Sequence, residues 1–230
     1  MTKTESHMQK ATEQNLFGAD ISEFQTITDA EALAKEVDFL YMRASTSRFG
    51  YFVEDRKFLL HAAEAESVGI PVGAYHYALP SRDIGDAARQ AEAFYNRLMM
   101  AFSGTGDLLP VVDVEQPLDK SISARQLVNW VIAFRDAFTY KAGRKLMLYT
   151  GSFFIELYDD FLVDGVHPLA SMPLWIAMYP ALPSNPEFPR DAGGWNSWRV
   201  WQFSDSGRLD GISYPVDLNY GPETLAELRG

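Results

Sequence analysis

Cysteine is absent from the 230 residues. This excludes a disulfide framework, a thiolate nucleophile and any zinc site built on cysteine. It leaves the redox compartment open, because a domain of this length can bury a sufficient core without cross-links. No apolar run approaches the ~20 residues that a membrane-crossing helix requires. Basic residues are the minority, 20 Lys and Arg against 31 Asp and Glu, for a net charge of −11. The excess is even along the chain: residues 1–100 carry 10 basic and 15 acidic side chains, residues 101–230 carry 10 and 16. With no basic stripe or patch, a nucleic-acid partner is not expected, and the charge repels anionic membranes. The four histidines, His7, His61, His76 and His167, form no H-E-x-x-H pair, so neither a metal nor a cofactor is expected. G-x-S-x-G is missing, and Gly104-Thr105-Gly106 does not continue into a phosphate-binding fingerprint.

What is present is a core. Hydrophobic residues make up 47% of the chain and include 15 Phe, 11 Tyr and 5 Trp, a content incompatible with disorder. Residues 1–16 are read as a flexible polar tail and residues 17–230 as one domain, expected to be monomeric. The N-terminus lacks the apolar stretch of a secretory signal. The chain is therefore expected to leave the cell by another route, or with its signal already removed.

Short β-like runs alternate with helical patterns. The runs are Phe17 to Ile21, Asp38 to Ala44, Ile70 to Tyr77, Leu108 to Glu115 and Lys145 to Tyr149. Between them lie a Thr28-x-x-Glu31 capping box, an apolar stripe at Ala87, Ala91, Phe94 and Leu98, and a Ser123-x-x-Gln126 box ahead of Leu127, Trp130, Val131, Phe134 and Phe138. Gly69 and Gly143 are placed to end helices. Three further strands, Leu174 to Tyr179, Arg199 to Phe203 and Tyr214 to Leu218, are separated by Pro- and Gly-rich loops. The expected fold is an α/β, TIM-like (β/α) barrel of eight parallel strands, with helices missing or reduced after the last three.

Chemistry in such a barrel sits where the strands end. Four acids fall there: Asp20 on the first strand, Asp113 and Glu115 on the fourth, and Asp217 on the eighth, beside the first once the barrel closes. Alternation along a strand points Asp113 and Glu115 to one face. Acids at strand ends also serve as loop residues and N-caps, but four on one rim repel one another and raise at least one pKa. A neutral carboxyl beside ionised ones is the equipment for cleaving a glycosidic bond. Tyr75, Tyr77, Tyr149, Trp175, Tyr179 and Trp201 lie at the same rim and can stack on sugar faces, and Gln202 joins this candidate binding set. His76, between two tyrosines, is expected to point into the wall.

Seven segments in register, from Phe17 to Tyr220, resemble the family 25 glycoside hydrolases, N-acetylmuramidases of the bacterial and phage lysozyme type. They are Gly18 to Gln25 (GADISEFQ), Gly73 to Tyr77 (GAYHY), Leu109 to Glu115 (LPVVDVE), Leu148 to Gly151 (LYTG), Pro173 to Ala177 (PLWIA), Trp201-Gln202, and Gly211-Ile212 with Val216 to Asn219 (VDLN). The resemblance implies hydrolysis of the β-1,4 bond between N-acetylmuramic acid and N-acetylglucosamine in peptidoglycan. It implies Glu115 as general acid, Asp113 as the group orienting the 2-acetamido substituent, and Asp20 and Asp217 as electrostatic and sugar-binding partners. The D-x-E spacing is similar to that of substrate-assisted chitinases, which favours neighbouring-group help with retention over a direct nucleophile. Phe24 stands where the family usually has Trp, and Met178 where a basic residue is common. Many such enzymes carry a C-terminal wall-binding module, so a catalytic domain cut from a longer endolysin and a barrel acting alone both fit. The competing readings are another N-acetylhexosaminidase or chitinase, a non-catalytic glycan-binding barrel and a phosphosugar enzyme.

Overall fold

The computed structural model describes residues 6–230. In chain order the elements are β1 (Phe17–Ile21), α1 (Ala30–Leu33), β2 (Phe39–Thr46), β3 (Val53–Glu54), α2 (Phe58–Ser67), β4 (Val72–Tyr77) and α3 (Ile84–Ala101). There follow β5 (Val111–Asp113), α4 (Ala124–Ala142), β6 (Met147–Gly151), α5 (Ser152–Leu157), β7 (Leu174–Ala177), β8 (Val200–Gly207), β9 (Val216–Tyr220) and α6 (Leu225–Arg229). The strands pair in the order β1-β9-β8-β7-β6-β5-β4-β2, and β1 pairs with β2 to close an eight-stranded barrel. β3 is a two-residue antiparallel flap on the end of β2.

The barrel is mixed rather than fully parallel. β9 runs antiparallel to both its neighbours, β8 and β1. Only residues 208–215 join β8 to β9, too few for the crossover that parallel strands need, so the chain turns straight back. Asp217 therefore sits near the start of its strand rather than at the end. Because that strand is reversed, the residue still arrives at the expected rim, directly opposite Asp20.

Local chemistry accounts for the helices. Ser123 and Gln126 form the complete reciprocal capping box, and Gly143 ends α4 in the left-handed conformation at φ 64°. At α1 the cap is Asp29, which accepts from the Ala32 N–H, and the helix stops at Leu33. Thr28, expected in the capping role, lies one residue before the cap, and the N–H groups of both Thr28 and Asp29 donate to the Gly211 carbonyl.

The lumen holds Phe39, Tyr41, Val111, Met147, Trp175 and Val200, with Leu228 of α6 closing the lower end. Gly18 and Gly73 make room for these rings: a Cβ would lie 2.5 Å from the Phe39 ring at Gly18 and 2.3 Å from the Tyr41 ring at Gly73. Trp175 forms the floor of the upper half, with ring centroids of Tyr41 and Tyr149 4.8 and 5.0 Å away.

Residues 6–16, expected to belong to a flexible tail, lie against the lower end of the barrel. Met8 is 2% exposed and its N–H donates to the Pro189 carbonyl. The Gln9 amide donates to the Trp198 carbonyl and accepts from the Trp198 N–H, and Asn15 donates to the Gly221 carbonyl. One buried methionine and two amide clamps order a segment whose polar composition gave no sign of it. Residues 1–5 of that tail lie outside the described residues.

Candidate active site

Period-two alternation decides what reaches the lumen. Asp20, Arg43, Tyr75, Tyr77, Asp113, Tyr149, Trp175, Gln202 and Asp217 come from β1, β2, β4, β5, β6, β7, β8 and β9. With Glu115, two residues beyond Asp113, they line one cavity of about 170 Å³ at the upper rim. All four acids singled out from the sequence are in it. So are Tyr75, Tyr77, Tyr149, Trp175 and Gln202.

Two of the predicted binding residues are placed differently. Tyr179 lies just past β7 and reaches the site only through its hydroxyl, which donates to Gln202 Oε1 at 2.8 Å. Trp201 points out of the barrel, where its indole N–H donates to the Met178 carbonyl and its ring packs among Trp198, Phe203 and Tyr220. Since Gln202 faces inward, its neighbour must face outward. His76 is in the wall, as expected. It is stacked between Phe52 and Phe134, bonded to Ser45 and Gln90, and held neutral by burial, which pushes it down to about 4.

A polar relay fixes Asp20. Its Oδ2 accepts from Gln202 Nε2 and from Asn219 Nδ2, both at 2.8 Å. Gln202 Oε1 in turn accepts from the Tyr149 hydroxyl at 2.9 Å, and Asn219 Oδ1 accepts from the Trp175 indole at 2.8 Å. Asp20 also shares a hydrogen bond with Asp217. On the far side, Asp113 is buried and its Oδ1 has no partner, while Glu115 shares a hydrogen bond with Tyr77.

Burial raises all four acids, and repulsion by neighbouring carboxylates adds to it at Asp113, Glu115 and Asp217. Burial comes first in every case. Asp20 is raised even against its three hydrogen bonds, and Asp113 is raised further by the charges of Glu115 and Asp20. Glu115 is pushed up to about 7, and Asp217 to about 9. At neutral pH the cluster thus holds protons, and its members titrate together. No group of three or more His, Asp or Glu side chains among the described residues is placed to hold a metal ion.

This arrangement costs stability in a pH-dependent way. The Glu115 carboxyl lies at about 7 in the fold against an ordinary value of 4.5, so the folded chain binds that proton more tightly than the unfolded chain. Its contribution is fully present below about 4.5 and is lost as pH rises through about 7, a swing of about 3 kcal/mol. Glu115→Gln is therefore expected to melt on the order of 5 °C above wild type at pH 8, with the gap closing at pH 4, by scanning calorimetry.

Sequence reasoning missed one member of the site, Arg43. The signal was there: a single arginine three residues before the end of an apolar strand (DFLYMRAST), inward by the same alternation as Tyr41.

A model described as glycosyl hydrolases family 25 matches residues 19–212. The chain belongs to glycosyl hydrolase family 25. The match takes in Asp20, Asp113 and Glu115 and stops short of Asp217. Like other lysozyme-type members, this family 25 chain is a glycoside hydrolase. It is similar to the solved spore cortex lytic enzyme SleM of Clostridium perfringens, with 51% identity and a TM-score of 0.93 over 96% of this chain and 71% of that one. A bacterial lysozyme from Streptomyces coelicolor shares the fold, with a TM-score of 0.76 at 22% identity over 95% of this chain and 99% of that one. Lysozyme M1 of Streptomyces globisporus is 27% identical over a stretch covering 88% of this chain and 66% of its own length.

Proposed function

We propose that the chain is a muramidase that cleaves the β-1,4 bond between N-acetylmuramic acid and N-acetylglucosamine in peptidoglycan, with retention and with help from the 2-acetamido group. The observation that carries this reading is the Asp113–Glu115 pair. Two inward carboxyls come from one strand end, one buried without a partner and the other poised to hold a proton near neutrality. The likeness to SleM and to Lysozyme M1 supports the substrate class, and spore cortex is the first preparation to use.

In this reading Glu115 donates its proton to the glycosidic oxygen as the C1–O bond breaks. The acetamido carbonyl oxygen attacks C1, and the N-acetylglucosamine end leaves with its new hydroxyl. Asp113 accepts from the acetamido N–H and faces the positive charge that spreads over the ring and the amide. Glu115, now a carboxylate, takes a proton from water as the water oxygen attacks C1 and reopens the acetamido group, which restores the starting protonation. Double displacement retains the anomeric configuration. Asp20 and Asp217, bound to each other, set the charge at the rim and hold sugar hydroxyls, and Tyr75, Tyr77 and Tyr149 bound the sugar ring. Residues 17–230 act as one catalytic domain, and a monomer suffices because every site residue comes from one barrel.

Nuclear magnetic resonance of a fresh digest tests this directly. The expected first product carries β-configured N-acetylmuramic acid at its reducing end. An α-configured end would mean inversion, and N-acetylglucosamine ends would mean a glucosaminidase. The rate should also fall as pH rises through about 7, because Glu115 then loses the proton it must donate. A profile flat from pH 4 to 9 would contradict the assignment.

A further inference from the structure

Among the described residues lining the catalytic cavity, Arg43 is the only cation, set among four carboxylates. The strand is shaped to put it there. The alternation that turns Tyr41 inward turns Arg43 inward too, and the pairing of β2 with β4 slips only after it, between Arg43, opposite Tyr75, and Ser45, opposite His76. The guanidinium is held from behind. Its Nε donates to Asp55 Oδ2 at 2.9 Å and one Nη donates to Glu23 Oε1 at 3.2 Å. Asp55 is itself fixed, because its Oδ2 accepts from the Glu23 N–H and its carbonyl accepts from Arg97. Glu23 is also paired with the exposed Arg56. A buried arginine with its fork committed on the wall side cannot swing away, so its positive charge is a fixed feature of the cavity.

We propose that Arg43 is a positioning residue for glycosidic cleavage: clamped by Asp55 and Glu23, it holds a fixed positive charge in the cavity of the buried Asp113 and favours the ionised form of that carboxyl, which faces the developing positive charge of the sugar. The inference rests on the muramidase reading above. The groups facing Asp113 are Asp20 from β1, Arg43 from β2, Tyr75 and Tyr77 from β4, Glu115 beyond β5, Tyr149 from β6 and Asp217 from β9. Of the charged neighbours in that set, Glu115 and Asp20 favour protonated Asp113. Arg43 alone works the other way. Without it the proton shared by the cluster settles on Asp113 at higher pH, leaving nothing ionised opposite the acetamido nitrogen.

The experiment is the pH dependence of kcat/KM on solubilised peptidoglycan for wild type, Arg43→Gln, Arg43→Lys and Glu23→Gln, with thermal unfolding of each recorded alongside. Arg43→Gln should move the acidic limb up by about one pH unit, the effect of removing an opposite charge at close range. Arg43→Lys should lower the rate through loss of the fork yet leave the limb in place. Glu23→Gln removes a competing anion from the guanidinium and should move the limb the other way, toward lower pH, so the proposal stays testable if Arg43→Gln does not fold. Limbs that coincide in all four proteins, with rates lowered equally at every pH, would show Arg43 to be structural only and overturn the proposal while leaving the muramidase reading intact. Absence of cleavage by folded wild type would overturn that reading and this inference with it.

Discussion

Glu115→Gln is expected to lower turnover on peptidoglycan by about 10³-fold or more while leaving the fold intact. General acid catalysis by a placed side chain contributes on the order of 10² to 10⁴, and the same residue serves twice here, first as acid and then as base. Glutamine keeps the size of the side chain and its contact with Tyr77 but has no proton to give. The loss should fall on kcat, since the uncharged amide relieves repulsion in the cluster and does not impede binding. A better-melting, inactive protein at pH 8 is the combination that distinguishes a catalytic acid from a structural one. Loss of activity with loss of stability would point to a folding role instead.

Asp113→Asn should cost about 10² to 10³-fold in kcat, the range measured when one preorganised electrostatic group is removed from a transition state. Asn preserves the shape and offers its carbonyl to the acetamido nitrogen, so what disappears is the charge. The effect should depend on the substrate. On glycan carrying free amines in place of N-acetyl groups, wild type should already be slow, because the internal nucleophile is gone, and Asp113→Asn should add little to that loss. Equal losses on both substrates would instead favour a direct protein nucleophile. Parallel kinetics on native and de-N-acetylated glycan decide this.

The site was legible in the sequence to the extent that strand alternation and barrel closure fix it. Asp113 and Glu115 share a face because they are two apart, and Asp20 and Asp217 are neighbours because the first and last strands must meet. The direction of the last strand was not legible. A segment of strand-like residues reads the same in either direction, and only the shortness of the 208–215 connection betrays the reversal. Trp201 was misplaced because ring chemistry outweighed geometry. It cannot share the lumen with Gln202, its neighbour on the strand, and the relay from Tyr149 through Gln202 to Asp20 needs the glutamine inside. Arg43 was hidden for a different reason. A lone arginine in a strand carries no motif, and its meaning comes from Asp55 and Glu23, which lie 12 residues after it and 20 before it. The packing of residues 6–16 depends likewise on partners far along the chain, Pro189 and Trp198.

In the proposed reaction this carboxylate cluster, with Glu115 as its acid, cuts peptidoglycan on the reducing side of N-acetylmuramic acid. Mass spectrometry of borohydride-reduced fragments, released from purified spore cortex and vegetative walls by wild type and by Glu115→Gln in parallel, tests it most directly. Soluble fragments ending in reduced N-acetylmuramic acid are expected with wild type, and none above the enzyme-free blank with the variant. Fragments ending in reduced N-acetylglucosamine, equal release by both proteins, or none from any wall with folded wild type would contradict it.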